Sequence, residues 1–297
     1  MAQDSSVYRS REGRAEVLRL YDQALRETPM PVRHRDVDTR FGRTHVLSMG
    51  AEDCDPVVLF QGGNFLGPLT LSWFGLLADR FTVHAPDTVG HPGRSAEVRL
   101  SPLDESYGAW AADVLDGLAL ERVRAIGLSY GAGILLRLAA MEPERIERAV
   151  FLLPAGLARP RILEPVLRLA IPMLAYRLAP DRSLLEKAIR PLFTEEPHDE
   201  WTDALGAIFR HVRLEARMPR LATADEMSAF RAPTMVVASA DDPFFPANRV
   251  LPKAAKILPH AAAVRLEGER HLLSDRGLRR VNEIVTTFFG DRSDHSD

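Results

Sequence analysis

Cysteine is almost absent from this chain of 297 residues, and lysine is scarce. The single cysteine, Cys54, stands in a polar loop, so the chain can form neither an internal disulfide nor a cysteine-rich zinc site. This usage is consistent with a reducing compartment. Lysine occurs only at Lys187, Lys253 and Lys256, and we attribute the preference for arginine to genome composition rather than to function.

Strong net charge and long apolar runs are also missing. The formal net charge is −3 and the isoelectric point is near 6.3, which argues against a nucleic-acid or anionic-membrane partner. No apolar run reaches membrane-spanning length, and residues 1–6 lack a basic-then-apolar signal pattern. We therefore expect a cytoplasmic protein that binds neither nucleic acid nor membrane.

The pattern that is present predicts an α/β fold. Short apolar runs bounded by turn residues, such as the predicted strand at 56–60, alternate with helix-forming segments, such as the helix predicted at about 70–79. A predicted hairpin at about 33–49 precedes them. Such alternation indicates right-handed crossovers and a parallel sheet covered by helices on both faces. Between residues 157 and 230 the strand signals stop, and a helical segment rich in proline replaces them. We predict a core of residues 1–156 and 231–290, a helical cap inserted at 157–230, and a disordered tail at 291–297.

The pentapeptide Gly127-Leu128-Ser129-Tyr130-Gly131 stands between a predicted strand and a predicted helix. A G-x-S-x-G sequence in that context is the nucleophile elbow, a sharp turn that exposes a serine hydroxyl above the sheet. The small residues around Ser129 allow the strand and the helix to approach closely. The sequence therefore predicts Ser129 as a nucleophile.

A serine nucleophile needs a base and a group that orients the base, and two later strand ends supply them. Asp241 and Asp242 follow one predicted strand, and His271 follows the last one. The chain order Ser, Asp, His is the order found in α/β-hydrolases. His271 is thus the candidate base, and either aspartate is a candidate for the orienting carboxylate.

These motifs together resemble the α/β-hydrolase superfamily, in its capped, esterase-like branch of carboxylesterase-type serine hydrolases. The resemblance extends over nearly the whole chain and implies an eight-stranded, mostly parallel sheet flanked by helices, with an inserted helical cap. It also favours Asp242 over Asp241, because Asp242 matches the family pattern G-x-x-D-x-x-x-P with Ser239 in the glycine place. No metal or cofactor is implied.

The oxyanion that forms during acyl transfer needs two hydrogen-bond donors. The main-chain N–H of Tyr130, directly after the nucleophile, is one candidate. The second donor comes from the loop after the third strand, where Gln61 replaces the histidine common in the family. In this loop the main-chain N–H of Gly63 is the candidate by position, and that of Asn64 is a lesser candidate. Gln61 and Asn64 are also candidate substrate-binding residues, although a loop-stabilising amide is the favoured interpretation of Gln61.

The predicted activity is hydrolysis of a carboxylic ester, or a related acyl bond, of a hydrophobic small molecule. The alternatives are lactone, thioester or carbon–carbon bond hydrolysis, perhydrolase or lyase chemistry, and a ligand-binding receptor on the same fold.

The glycines form neither a dinucleotide fingerprint nor a P-loop, and no cluster of side chains suggests a zinc site. We expect His84 and His91 to be structural, His91 through a hydrogen bond in its loop. The oligomeric state, a homo-oligomer included, is left open.

Overall fold

Eight strands form one sheet in the order β1-β2-β4-β3-β5-β6-β7-β8. The computed structural model describes residues 6–28, 30–161 and 166–291. The strands are β1 (Val32–Thr39), β2 (Gly42–Met49), β3 (Pro56–Phe60), β4 (Thr82–Pro86), β5 (Val123–Leu128), β6 (Ile146–Leu152), β7 (Thr234–Ser239) and β8 (Ala262–Leu266). β2 pairs antiparallel with β1 and with β4, and all other neighbours are parallel. The sheet is therefore mostly parallel, as predicted.

Helices cover both faces of this sheet. They are α1 (Arg11–Arg26), α2 (Gly67–Ser72), α3 (Gly75–Ala78), α4 (Ser106–Gly117), α5 (Tyr130–Met141), α6 (Ile171–Leu178), α7 (Arg182–Ile189), α8 (Asp199–His211), α9 (Ala247–Ile257) and α10 (Asp275–Gly290). Short 3-10 turns occupy Pro143–Arg145 and Arg190–Leu192, and a π-helical turn at Val166–Ala170 leads into α6. No helix in the described ranges has the length and hydropathy needed to cross a membrane.

The hydrophobic core consists of two clusters, one on each face of the sheet. Successive residues of β3 alternate between them: Val57 and Leu59 pack in one cluster, and Val58 and Phe60 in the other. This alternation follows from the period of two in a strand, and a strand buried on both faces needs an unbroken apolar run. The apolar composition of the predicted strands thus leads directly to the layered architecture.

A single helix predicted at about 70–79 is instead the two short helices α2 and α3. The break is stabilised from outside, because the Asn282 side chain donates to the Trp73 carbonyl (2.7 Å) and accepts from the Leu77 main-chain N–H (3.2 Å). This side chain comes from α10, so a tertiary contact decides a local feature that composition cannot predict.

Helices α6 to α8 lie in the predicted cap, but the prediction of a helical segment up to residue 230 was wrong. Residues 213–233 contain neither helix nor strand. Their main-chain groups bond to core loops instead: Arg220 N–H donates to the Pro102 carbonyl (3.0 Å), and Ala222 N–H donates to the Gly156 carbonyl (2.8 Å). The cap boundaries at 157 and 230 stay predictions, and the predicted disordered tail lies outside the described residues after Asp291.

Candidate active site

Ser129 occupies a sharp turn between β5 and α5. Its backbone angles, φ 50° and ψ −112°, lie outside the regions that residues with a side chain ordinarily adopt. The turn is possible because Gly131 has no side chain, since a Cβ there would overlap the Phe60 carbonyl oxygen. The local geometry is that of a nucleophile elbow, with Ser129 at the carboxyl edge of the sheet.

A chain of hydrogen bonds runs from Asp242 through His271 to Ser129. The His271 Nδ1 atom lies 2.7 Å from Asp242 Oδ2, and Nε2 lies 3.0 Å from Ser129 Oγ. Because a carboxylate only accepts hydrogen bonds, Nδ1 carries the proton, and Nε2 is free to accept the serine hydroxyl proton. The other Asp242 oxygen accepts the main-chain N–H groups of Phe244 (2.7 Å) and Phe245 (2.9 Å), which fixes the carboxylate. The arrangement can move a proton off Ser129.

The two candidate aspartates differ in their surroundings. Asp242 is buried, with 1% of its surface exposed, and contacts His271. The side chain of Asp241 is exposed, while its main-chain N–H donates to the Glu269 carbonyl (3.1 Å). The geometry therefore favours Asp242 as the partner of the histidine.

The candidate oxyanion donors lie beside one another. Gly63 packs against Tyr130 so closely that a Cβ on the glycine would lie 3.0 Å from the tyrosine Cβ, and both residues line the same cavity as Ser129. Tyr130 is the first residue of α5, where main-chain N–H groups have no acceptor within the helix. The main-chain N–H of Asn64 is already engaged, because it donates to His91 Nδ1 (2.9 Å). Gly63 is thus the better second candidate.

His91 has the structural hydrogen bond predicted for it, although its partner was not predicted. Burial lowers the pKa of this histidine to about 4, so the imidazole is neutral near pH 7. Since Nδ1 accepts the Asn64 N–H, the proton lies on Nε2. The ring packs on the Tyr130 ring with a centroid distance of 4.9 Å.

The Asn64 side chain connects this loop to the segment that follows α8. Its Oδ1 accepts the Glu215 main-chain N–H and its Nδ2 donates to the Glu215 carbonyl, both at 2.8 Å. Asn64 adopts φ 55°, a left-handed conformation that asparagine tolerates better than most residues. Sequence reasoning missed this pairing because the partners stand 151 residues apart and no local pattern links them.

Gln61, a predicted substrate-binding candidate, lies outside the cavity. Gln61 is 1% exposed, and its Oε1 and the Asp87 carboxylate both approach Gly67. Neither its Oε1 nor its Nε2 has a hydrogen-bond partner among the described residues. Asp87 accepts hydrogen bonds from the Tyr21 hydroxyl (2.9 Å) and the Arg94 main-chain N–H (2.8 Å). Burial raises the pKa of Asp87 to about 7 despite these donors. The location of Gln61 outside the cavity argues against a substrate contact, and because its amide has no hydrogen-bond partner among the described residues, the loop-stabilising interpretation stays a prediction.

The cavity above Ser129 has a volume of about 220 Å³ and is mostly apolar. Trp201 forms one wall, stacked on Trp73 (centroids 5.6 Å apart) and packed against Phe65 (4.9 Å). Leu169 and Met173, near the start of α6, also line it. The cavity thus lies between the sheet edge and the cap helices.

Glu215 is a charged residue in the lining. Burial raises the pKa of its carboxyl, but hydrogen bonds from Arg217 and the charge of Arg99 outweigh burial, and the pKa lies below its usual value. The carboxylate is therefore ionised and paired with arginine near pH 7.

A family model described as alpha/beta hydrolase family matches residues 57–284. The chain belongs to this family. The match covers the sheet from β3 onward, the elbow and the residues around His271, and it confirms the resemblance and the fold predicted from the sequence. This α/β-hydrolase is accordingly a hydrolase with an eight-stranded, mostly parallel sheet.

Similar proteins include two carboxylesterases of Bacillus subtilis strain 168. The α/β-hydrolase is 25% identical to carboxylesterase YbfK over 296 residues, which is 97% of this chain and 98% of the relative. It is 26% identical to carboxylesterase nap over 282 residues, 91% of this chain and 90% of the relative. The crystal structure of naproxen esterase from the same organism has a TM-score of 0.81 and 23% identity, covering 94% of this chain and 99% of that one.

Proposed function

We propose that this α/β-hydrolase is a serine hydrolase that cleaves carboxylic esters of hydrophobic small molecules through an acyl-enzyme. The observation that carries the proposal is the hydrogen-bonded chain from Asp242 through His271 to Ser129, which ends at an apolar cavity. The similarity to the two carboxylesterases over nearly the whole chain supports the ester as the bond cleaved.

In the proposed reaction, Ser129 Oγ attacks the ester carbonyl carbon while His271 Nε2 takes the serine proton. The carbonyl π electrons move to oxygen, and the main-chain N–H groups of Gly63 and Tyr130 hold the resulting oxyanion. When the tetrahedral intermediate collapses, the alcohol leaves with the proton from His271. Water then repeats the sequence on the acyl-enzyme and releases the acid. Asp242 keeps the imidazole in the required tautomer and stabilises its charged form.

The substrate class follows from the cavity rather than from the triad. Its lining is dominated by aliphatic and aromatic side chains, and its polar side chains are those of Asn64, Thr70, Ser129, Glu215 and His271, together with the phenol of Tyr130 and the indoles of the tryptophans. An apolar acyl or alkyl group would bury its surface there, at about 25 cal/mol per Å². Because the Glu215 carboxylate is paired with Arg217, it does not by itself require a cationic substrate.

A second candidate reaction uses the same serine on a different bond. The relatives include 2-hydroxymuconate semialdehyde hydrolase of Pseudomonas, 34% identical over 129 residues, which is 40% of this chain and 42% of the relative. Carbon–carbon bond hydrolysis therefore stands beside ester cleavage, with lactone and thioester hydrolysis. Perhydrolase or lyase chemistry and a ligand-binding receptor have less support. Product analysis by mass spectrometry separates the hydrolytic reactions.

The deciding experiment is labelling of the purified protein with a fluorophosphonate, read by intact mass and peptide mapping. We expect one label per chain on Ser129 in the wild type, and none in Ser129→Ala or His271→Ala. Ser183→Ala, an exposed serine on α7, is the matched control and should label like the wild type. Label at another residue, or none while an unrelated serine hydrolase reacts, would refute the acyl-enzyme mechanism. An ester panel graded by acyl length then defines the substrate.

A further inference from the structure

Asn64, the residue after Gly63, is tied to two separate parts of the molecule. Its main-chain N–H donates to His91 Nδ1, and its side chain pairs with both main-chain groups of Glu215. It lies in a loop that belongs to no helix or strand, so these three hydrogen bonds fix its place. Because Gly63 is joined to Asn64 by a single peptide unit, these hydrogen bonds also limit the direction of the Gly63 N–H.

His91 contacts both halves of the candidate oxyanion hole. It accepts the hydrogen bond from Asn64 on one side, and its ring packs on Tyr130, the residue with the other candidate donor. His91 is 3% exposed and its Nε2 has no partner among the described residues, so within the described structure the bond from Asn64 is the hydrogen bond that orients the imidazole. The imidazole thus sets the loop relative to the start of α5.

Glu215, which binds the Asn64 side chain, is itself held in place by two arginines. Arg217 holds its carboxylate through two guanidinium contacts (2.7 and 3.0 Å) and a main-chain N–H (2.8 Å), and Arg99 lies 3.7 Å away. The neighbouring residues Leu214 and Met218 line the cavity. The segment that contacts a bound substrate is therefore the segment to which Asn64 is attached.

We propose that Asn64 is a positioning residue that sets the oxyanion hole, by coupling the Gly63 N–H to the cavity-lining segment after α8, with His91 as its second anchor. This inference rests on the proposed function, since it concerns the same site.

The coupling should act on the transition state more than on substrate binding. An oxyanion donor works only when it lies about 2.7–3.1 Å from the oxygen, and complete loss of one costs about 10²–10³ in kcat. A displaced Gly63 should cost part of this. Asn64 itself lines the cavity, but the aliphatic and aromatic side chains that dominate the lining are retained, so KM should change less than kcat.

Four variants separate positioning from general destabilisation. Asn64→Gly removes the side-chain pair without straining the left-handed backbone, and Asn64→Asp keeps the acceptor but not the donor. His91→Leu removes the acceptor for the Asn64 N–H, whereas His91→Asn offers a replacement oxygen. Thr44→Val is the matched control, because it deletes a buried hydrogen bond to Trp110 (2.9 Å) outside the cavity.

Each variant is measured by kcat per fluorophosphonate-titrated site, by KM, and by the inhibition constant of a trifluoromethyl ketone. With the ketone, Ser129 Oγ bonds to the carbonyl carbon, its proton passes to His271, and the carbonyl oxygen becomes the oxyanion. For Asn64→Gly and His91→Leu we expect at least a tenfold loss in kcat, a similar rise in the inhibition constant, and KM within threefold. His91→Asn should recover most of the loss, Asn64→Asp should be intermediate, and Thr44→Val should match the wild type per titrated site.

Unchanged kcat and ketone affinity in Asn64→Gly would overturn the proposal. If that variant does not fold, the same outcome in Asn64→Asp and His91→Leu would overturn it. A wild type that binds the ketone but cleaves no ester refutes ester hydrolysis alone, and the ketone affinities still test Asn64. A wild type that neither cleaves esters nor binds the ketone refutes both.

Discussion

At the scale of single residues, Asp242 is a buried carboxylate held rigidly by two main-chain N–H groups and by His271. We predict that Asp242→Asn lowers kcat by about 10²–10⁴, because an amide can donate to Nδ1 and so favours the wrong tautomer of the imidazole. Esterase kinetics, expressed as kcat per fluorophosphonate-titrated site, measures the loss.

The adjacent Asp241→Asn is the matched control for this exchange. Asp241 is exposed, so its replacement should leave kcat within about twofold of the wild type. Equal losses in the two variants, or a larger loss in Asp241→Asn, would contradict the assignment of the orienting carboxylate to Asp242.

The sequence was sufficient to predict which residues meet at the serine, but not what holds the loop beside it. Ser129, Asp242 and His271 each follow a strand, and the carboxyl ends of parallel strands share one edge of a sheet, so their meeting follows from topology. Asn64, His91 and Glu215 meet through loops of irregular path. Their contacts depend on backbone angles that residue type alone does not determine.

At the scale of elements, α8 contributes Trp201 to the wall of the cavity that Ser129 also lines. Trp201 stacks on Trp73 and packs against Phe65, and an aromatic pair is worth about 0.5–1.5 kcal/mol beyond its buried area. We predict that Trp201→Leu lowers kcat/KM roughly tenfold for an ester with a bulky apolar acyl group. An acetyl ester, whose acyl group buries little apolar surface, should change less than threefold.

Leu178→Ala provides the control, because Leu178 lies on α6 of the same cap and is 79% exposed. It should alter neither ester. Active-site titration corrects both variants for any loss of folded protein. A uniform decrease for short and bulky esters in Trp201→Leu would show that the wall supports the fold rather than selecting the acyl group.

Strands were predicted more accurately than the segments between them, and the reason is physical. A strand buried on both faces needs an unbroken apolar run, as in Pro56–Phe60, and such runs are visible in composition. The division between α2 and α3 depends on Asn282, and the course of residues 213–233 depends on bonds to core loops. Both are long-range contacts, which a local pattern does not contain.

At the scale of the whole molecule, folding buries a carboxyl group between the N-terminal helix and the loops beside the candidate site. Asp87 is 0% exposed, bonded to Tyr21 of α1 and to the Arg94 main chain, while one of its oxygens has no partner among the described residues. Burial raises the pKa of Asp87 from 3.8 to about 7. A group of this kind links the stability of the entire fold to pH.

The sign of the effect follows from proton binding. Between pH 4 and 7 the folded protein holds a proton on Asp87 that the unfolded chain has lost, so this contribution to stability is largest at low pH and disappears as the pH rises through about 7. We predict that the free energy of unfolding of the wild type, minus that of Asp87→Asn, falls by about 1.4 kcal/mol per pH unit between pH 5 and 7 and levels off above pH 8. Urea titrations at each pH measure the difference.

Tyr21→Phe should move the upper end of this pH window to higher pH, because it removes a hydrogen-bond donor that lowers the Asp87 pKa. Parallel stability curves for the wild type and Asp87→Asn would show instead that Asp87 stays ionised in the folded protein, so that its two donors and the Arg94 charge outweigh burial.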